Sequence, residues 1–155
     1  MATTFSNVIG TRTAFTITLN SLGNGTYVAA TAVDLHNIVG SATAPLDVVI
    51  ELELTPGTVS GNKQAKLFTQ ISMDGSNYST GPTSGTTTTD EPDLYLIDIL
   101  PLATNSTLQR KGWSLFSRIG FIPYSIKPVV FNDSGASLAG SGNALNYTII
   151  YGDGR

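Results

Sequence analysis

Residues 48–54 read Val48-Val49-Ile50-Glu51-Leu52-Glu53-Leu54, and this stretch decides the fold. Val48, Ile50, Leu52 and Leu54 alternate with Val49, Glu51 and Glu53. That is the period of a strand with one face in a core and carboxylates turned to solvent. Pro56-Gly57 stops it, and Gly61-Asn62 turns the chain back into Lys66–Met73, a second extended run.

Outward from this pair the same alternation recurs. Phe15, Ile17 and Leu19 alternate with threonines, and Ser21-Leu22-Gly23-Asn24-Gly25 offers a tight connection to Tyr27–Leu35. The spacing predicts a hairpin there. Asp74-Gly75-Ser76-Asn77 is a turn, followed by a long polar loop from Thr80 to Pro92. Asp93–Leu102 is nearly continuous in apolar residues and predicts a central strand. Leu108–Phe116 and Ser125–Phe131 predict two more, with Pro123 and Pro128 pushing the latter to a sheet edge or a bulge. Leu145, Tyr147, Ile149 and Tyr151 make the last strand. A helical turn is expected only within Thr104–Arg110. Turn signals about every ten residues predict an all-β, single-domain antiparallel β-sandwich or jelly roll of about eight to ten short strands. The domain covers 1–155, with 1–13 as an extended N-terminal arm.

Composition narrows function by exclusion. Only 12% of the residues are charged, the net charge is −3, there is no cysteine and one histidine. Arg110, Lys111, Arg118 and Lys127 are too dispersed to neutralise phosphates, so no nucleic-acid partner is expected. No apolar stretch reaches the roughly twenty residues of a membrane span, and the first residues do not read as a secretory signal. Lack of cysteine removes thiolate catalysis and thiolate metal sites, and fits synthesis in a reducing cytoplasm. A surface with so few charges is poorly defended against self-association, which predicts an oligomer.

No reactive constellation assembles. His36 is the only imidazole, no G-x-S-x-G occurs, and Gly140-Ser141-Gly142 lacks the lysine of a phosphate cradle. Catalytic residues and cofactors are therefore expected to be none. Asp90, Glu91 and Asp93, with Asp98 beyond them, form the one acidic cluster; a solvated loop leading into a strand, a weak calcium site and a carboxylate pair for glycoside hydrolysis are the alternatives, the first favoured. Trp113 with Tyr78, Tyr95, Tyr124, Tyr147 and Tyr151 would serve a sugar-stacking platform if exposed in one plane, and a core or subunit contact if buried. The sequons at Asn24, Asn77, Asn105, Asn132 and Asn146 read as Asn-rich turns rather than glycan acceptors.

Three pieces, Asp74-Gly75-Ser76-Asn77-Tyr78, the run Thr80–Pro92 and Ser141-Gly142-Asn143-Ala144-Leu145, lie within a stretch that resembles a family of small proteins encoded by tailed bacteriophages. The resemblance spans most of residues 10–152. It implies a virion structural protein, foremost a capsid decoration (cement) protein bound to the major capsid protein or another virion protein, with a tail or baseplate component as alternative. It also implies a homotrimer at the capsid surface of the virion, made in the host cytoplasm. The competing class is a carbohydrate-binding module for host attachment.

Overall fold

The computed structural model describes residues 5–36, 45–86 and 93–154. In chain order the strands are β1 (Phe5–Ile9), β2 (Thr13–Ala14), β3 (Thr26–Ala29), β4 (Val33–Asp34), β5 (Pro45–Leu54) and β6 (Gln64–Ser72). They continue with β7 (Ser84–Gly85), β8 (Tyr95–Pro101), β9 (Gln109–Ser114), the short helix α1 (Leu115–Ile119), β10 (Ser125–Asp133) and β11 (Ala144–Gly154). Every pairing among them is antiparallel. One sheet runs β1-β11-β5-β9, with β2 also on β11; the other runs β7-β3-β10-β6-β8, with β4 also on β10. The fold is an all-β sandwich.

The alternation in β5 builds the interface between the sheets. Val48, Ile50, Leu52 and Leu54 are all fully buried, and their ladder partners on β11 include Leu145, Tyr147 and Ile149, also buried. The second sheet answers with Ala65 and Leu67 of β6, Ile126 and Val130 of β10, and Ile97 and Leu100 of β8. Burying one Leu or Ile side chain contributes about 1.5–3 kcal/mol, so these rows dominate the stability of the sandwich. A smaller apolar cluster, Tyr27, Phe68, Leu94 and Val129 with Phe131 against it, lies on the opposite face of β10. There the Tyr27 and Phe131 rings stack at 4.3 Å.

Burial on both faces makes β10 a central strand, where the prolines had pointed to an edge or a bulge. The bulge is real. β3 pairs Ala29 with Val129 and β4 pairs Val33 with Ile126, so three residues on one side face two on the other. Ala30 N donates to Pro128 O at 2.8 Å, which turns the backbone of Pro128 toward the bulge rather than toward β6. The N–H that proline lacks would thus have pointed into an already broken ladder, and the β6 side runs uninterrupted from Ser125 to Asp133.

Three further expectations change. Asp93–Leu102 supplies β8, an edge strand rather than a central one: Ile97 and Leu100 reach the core, while Tyr95 and Leu96 are exposed. The hairpin between 15–19 and 27–35 does not form. Phe15 and Leu19 are buried as predicted, but their segment crosses between the sheets, giving Phe15 N to Leu145 O on one side and taking Thr31 N at Thr16 O on the other. The helical turn sits at 115–119, not in 104–110. Ser114 Oγ caps it by accepting Ser117 N at 3.0 Å, and Gly120 ends it in the left-handed region at φ 82°.

Asparagines fasten the loops. Asn132, fully buried, donates from Nδ2 to Leu22 O at 2.9 Å and Ala136 O at 2.8 Å, and its Oδ1 accepts Ser134 N at 3.2 Å. Asn24 Oδ1 accepts Gly135 N, and Asn105 Oδ1 accepts Val59 N. Gly135 lies at φ 83° with its α-carbon against Ser60, so an added Cβ would meet Ser60 O at 2.4 Å. The sequon at Asn132 is therefore a structural pin.

Truncating the core row by Leu52→Ala should lower the unfolding free energy by about 2–5 kcal/mol in a denaturant titration. Asn132→Ala leaves the buried Ser134 N–H without its acceptor and takes one of two donors from the Leu22 and Ala136 carbonyls, and should cost about 1–3 kcal/mol in the same measurement.

Candidate interaction surface

The aromatic side chains do not converge on an exposed platform. Trp113, 4% exposed, points inward from β9 beside Ile50, and Tyr147 is buried against Phe15 with ring centroids 4.7 Å apart. Tyr27 is buried too. Tyr124 stacks parallel to His36 with ring centroids 5.6 Å apart. Tyr78 donates or accepts at Ser125 Oγ, 2.7 Å away. Of the described tyrosines and tryptophan only Tyr95 is open to solvent, at 41%.

Tyr78 and Tyr95 do flank one cleft, with Ser79, Thr80, Asp93 and Leu94. Its floor is stiff: Ser79 exchanges bonds with Ile71 in both directions, N to O at 3.0 Å and Oγ from N at 3.2 Å. The volume of about 520 Å³ lies in the range of small-molecule sites. Its chemistry is thin, because one ring is exposed and Thr80 Oγ1 donates to Asp93 Oδ2 at 2.6 Å. Asp90 and Glu91, the other members of the acidic cluster, lie outside the described residues. Asp98 sits apart on β8, between Lys111 at 3.5 Å and Arg118 of α1. Among the described residues no three His, Cys, Asp or Glu side chains gather in a way that would hold a metal. Asp74 is engaged within its own turn: its carboxylate accepts the Asn77 and Ser76 amides, the Asn77 side chain and Ser72 Oγ, and these bonds hold its pKa well below the usual range.

Charge is instead spent on fastening the chain. On the outer face of β5, Glu51 and Glu53 stand two residues apart. Arg12, from the segment that follows β1, bridges both, and Arg110 of β9 reaches Glu53 from the other side at 2.9 Å. Burial pushes the Glu51 carboxyl up, but the Arg12 hydrogen bond, with Glu53 and the Arg110 charge, outweighs it and leaves Glu51 below the ordinary carboxylate range. Beside it Asn146, 5% exposed, leaves Nδ2 without a hydrogen-bond partner.

Part of the exposed apolar surface lies at one end of the first sheet, while Met73, Leu96 and Leu108 stand exposed elsewhere. Residues 5–9, within the stretch expected to form an extended arm, lie along β11 in register from Phe5↔Gly154 to Ile9↔Ile150. Ile9 shares a face with Ile150 and is 75% exposed. Leu46 lies over the flat face of Gly152 on the same side, and Val8, on the opposite face, is 45% exposed. Gly10 permits this docking: a Cβ there would meet Ile149 O at 2.9 Å and the Tyr151 ring at 3.1 Å. The periodicity of 145–151 makes the last strand legible, but nothing in Met1–Thr13 alone signals that part of it is a strand, since Ser6 and Asn7 interrupt its apolar residues.

No protein-family model and no curated protein matches the chain. Among solved structures it is similar to one of infectious bursal disease virus, Gx strain, at 10% identity and a TM-score of 0.38, covering 98% of this chain and 32% of that one. The chain thus spans about a third of that chain's length, and likeness of this degree carries no functional argument.

The Arg12–Glu51 contact carries a sign in pH. Because the folded pKa of Glu51 is depressed, its contribution is complete above the ordinary carboxylate range and is lost as the pH falls through the folded value. Glu51→Gln should flatten the acid limb of stability against pH relative to wild type, with little change at neutral pH beyond the lost ion pair; chemical denaturation at stepped pH reads this.

Proposed function

We propose that this chain is a structural protein of a bacteriophage virion, a capsid decoration protein that binds and stabilises the lattice of the major capsid protein. The observation that carries the reading is a contrast of surfaces. The described arginines and most of the described carboxylates are engaged in ion pairs, turns and caps, while large apolar side chains, Ile9, Leu46 and Phe116, stand exposed around one end of one sheet. A protein that works by shape leaves such a surface for a partner to cover; isolated monomers rarely keep contiguous apolar patches without a use. The resemblance of Asp74–Tyr78, Thr80–Pro92 and Ser141–Leu145 to tailed-phage proteins supports the same assignment and supplies the partner, the capsid lattice.

The mechanism is mechanical. The Ser114 cap beside Phe116 and the Arg12 clamp after Ile9 keep the surface preorganised, so binding costs little ordering entropy. Buried apolar area and backbone hydrogen bonds then hold neighbouring capsid subunits together. A tail or baseplate location is the alternative within the same class. A carbohydrate-binding role is disfavoured by the inward Trp113 and Tyr147, which leave Tyr95 as the one exposed ring among the described tyrosines and tryptophan.

Purified protein added to capsids that lack it, followed by cryo-electron microscopy, tests the reading. Occupancy of regular lattice positions is the expected result. Binding restricted to tail structures would move the protein to the baseplate, and absence of binding to either would remove the virion role.

A further inference from the structure

We propose that β1 is a pairing edge between two copies of this chain, joined antiparallel across a two-fold axis at Asn7. This inference stands on backbone geometry and does not depend on the virion assignment.

The argument begins with which backbone groups face outward. Gly10 N donates to Ile149 O at 2.8 Å, so residue 10 turns its backbone toward β11. Along an extended strand these directions alternate, so residues 8 and 6 also face β11, whereas 9, 7 and 5 face away from it. Among the described residues no strand lies on that outer side, since β1 ends the sheet.

That pattern is self-complementary. Lay a second copy antiparallel with Asn7 opposite Asn7, and residue 5 falls opposite residue 9 on both flanks. Each of those pairs then has outward N–H and C=O groups on both strands, the requirement for a hydrogen-bonded pair of an antiparallel ladder. Moving the two-fold onto residue 6 or 8 brings fewer outward groups into opposition.

Chemistry favours a second copy over a charged partner. Phe-Ser-Asn-Val-Ile carries no charge and no proline, so no like charges meet across the axis. The other edges are guarded in the manner that prevents pairing. β9 carries Arg110 and Lys111; β8 ends in Pro101 and has Asp98 tied to Lys111 and Arg118; β7 is two residues long. Pairing at β1 would also extend the sheet beside the exposed Ile9 and Val8. A two-fold pair differs from the homotrimer that the phage resemblance implies.

Sedimentation velocity at micromolar concentrations reads the association. Wild type is expected to be a dimer. Asn7→Lys and Asn7→Asp each put like charges on the axis and should weaken the dimer about tenfold. An equimolar mixture of the two variants should restore it. Asn7 is exposed and its N–H faces outward, so both variants should keep the wild-type far-ultraviolet circular dichroism spectrum, which separates lost pairing from misfolding. A monomeric or trimeric wild type overturns the proposal. So does a dimer that neither substitution weakens, or one that mixing fails to rescue.

Discussion

Two sheets stay together because β5 and β11 on one side, and β6 and β10 on the other, present apolar rows whose side chains leave no exposed remainder. Val48, Ile50, Leu52, Leu54, Leu67, Ile126 and Val130 are all fully buried. With no cysteine to cross-link and few charges to lock, this burial is the dominant source of cohesion. The edge strands, the single helix and the loops are arranged around it. Lys111 illustrates the dependence: it points inward from β9, and it is tolerated there because its ammonium reaches Asp98 on the facing sheet, over the Trp113 ring, at the open flank of the sandwich.

Polar residues then decide which arrangement of these layers is adopted. Asn132 ties the connection after β10 to the segment before β3, and Asn143 reaches Thr55 N, Ala139 O and Asn20 across the same end. Arg12 holds the chain between β1 and β2 onto the outer face of β5. Removing any one leaves a buried or half-buried group without its partner, which costs more than the bond itself was worth.

Much of the architecture could be read from residue periodicity. Glu51 and Glu53 betray the solvent face of β5, and the alternation of Leu145 to Ile149 betrays β11. Turn chemistry placed Asp74–Asn77 correctly because an Asx side chain satisfies its own neighbours without tertiary help. Strand order was not legible. Asp93–Leu102 is apolar enough for a centre yet lies at an edge, and Ser125–Phe131 contains a proline yet lies at a centre, because only the neighbouring strand's bulge reveals that Pro128 needs no donor on that side. The short helix escaped because five residues cannot show a 3.6 period; Ser114, Ser117 and Gly120 were its only signals. Of the surface candidates, the inward turn of Trp113 depended on register with Ile50. The docking of residues 5–9 depended on Gly10, whose small size matters only once Tyr151 is beside it.

The irregularity at Pro128 has a mechanical consequence for how the sandwich yields. On one flank β10 holds β6 through nine consecutive partners; on the other, β3 and β4 hold it through four and two, separated by the bulge. Local opening follows the weaker seam, since partial unfolding selects the region whose loss sacrifices least packing. The strip from β3 to β7 can therefore breathe while β10 and β6 remain zipped. The molecule gains one compliant margin beside a rigid slab, and amide protons of β3 and β4 would exchange with solvent before those of β10 and β6.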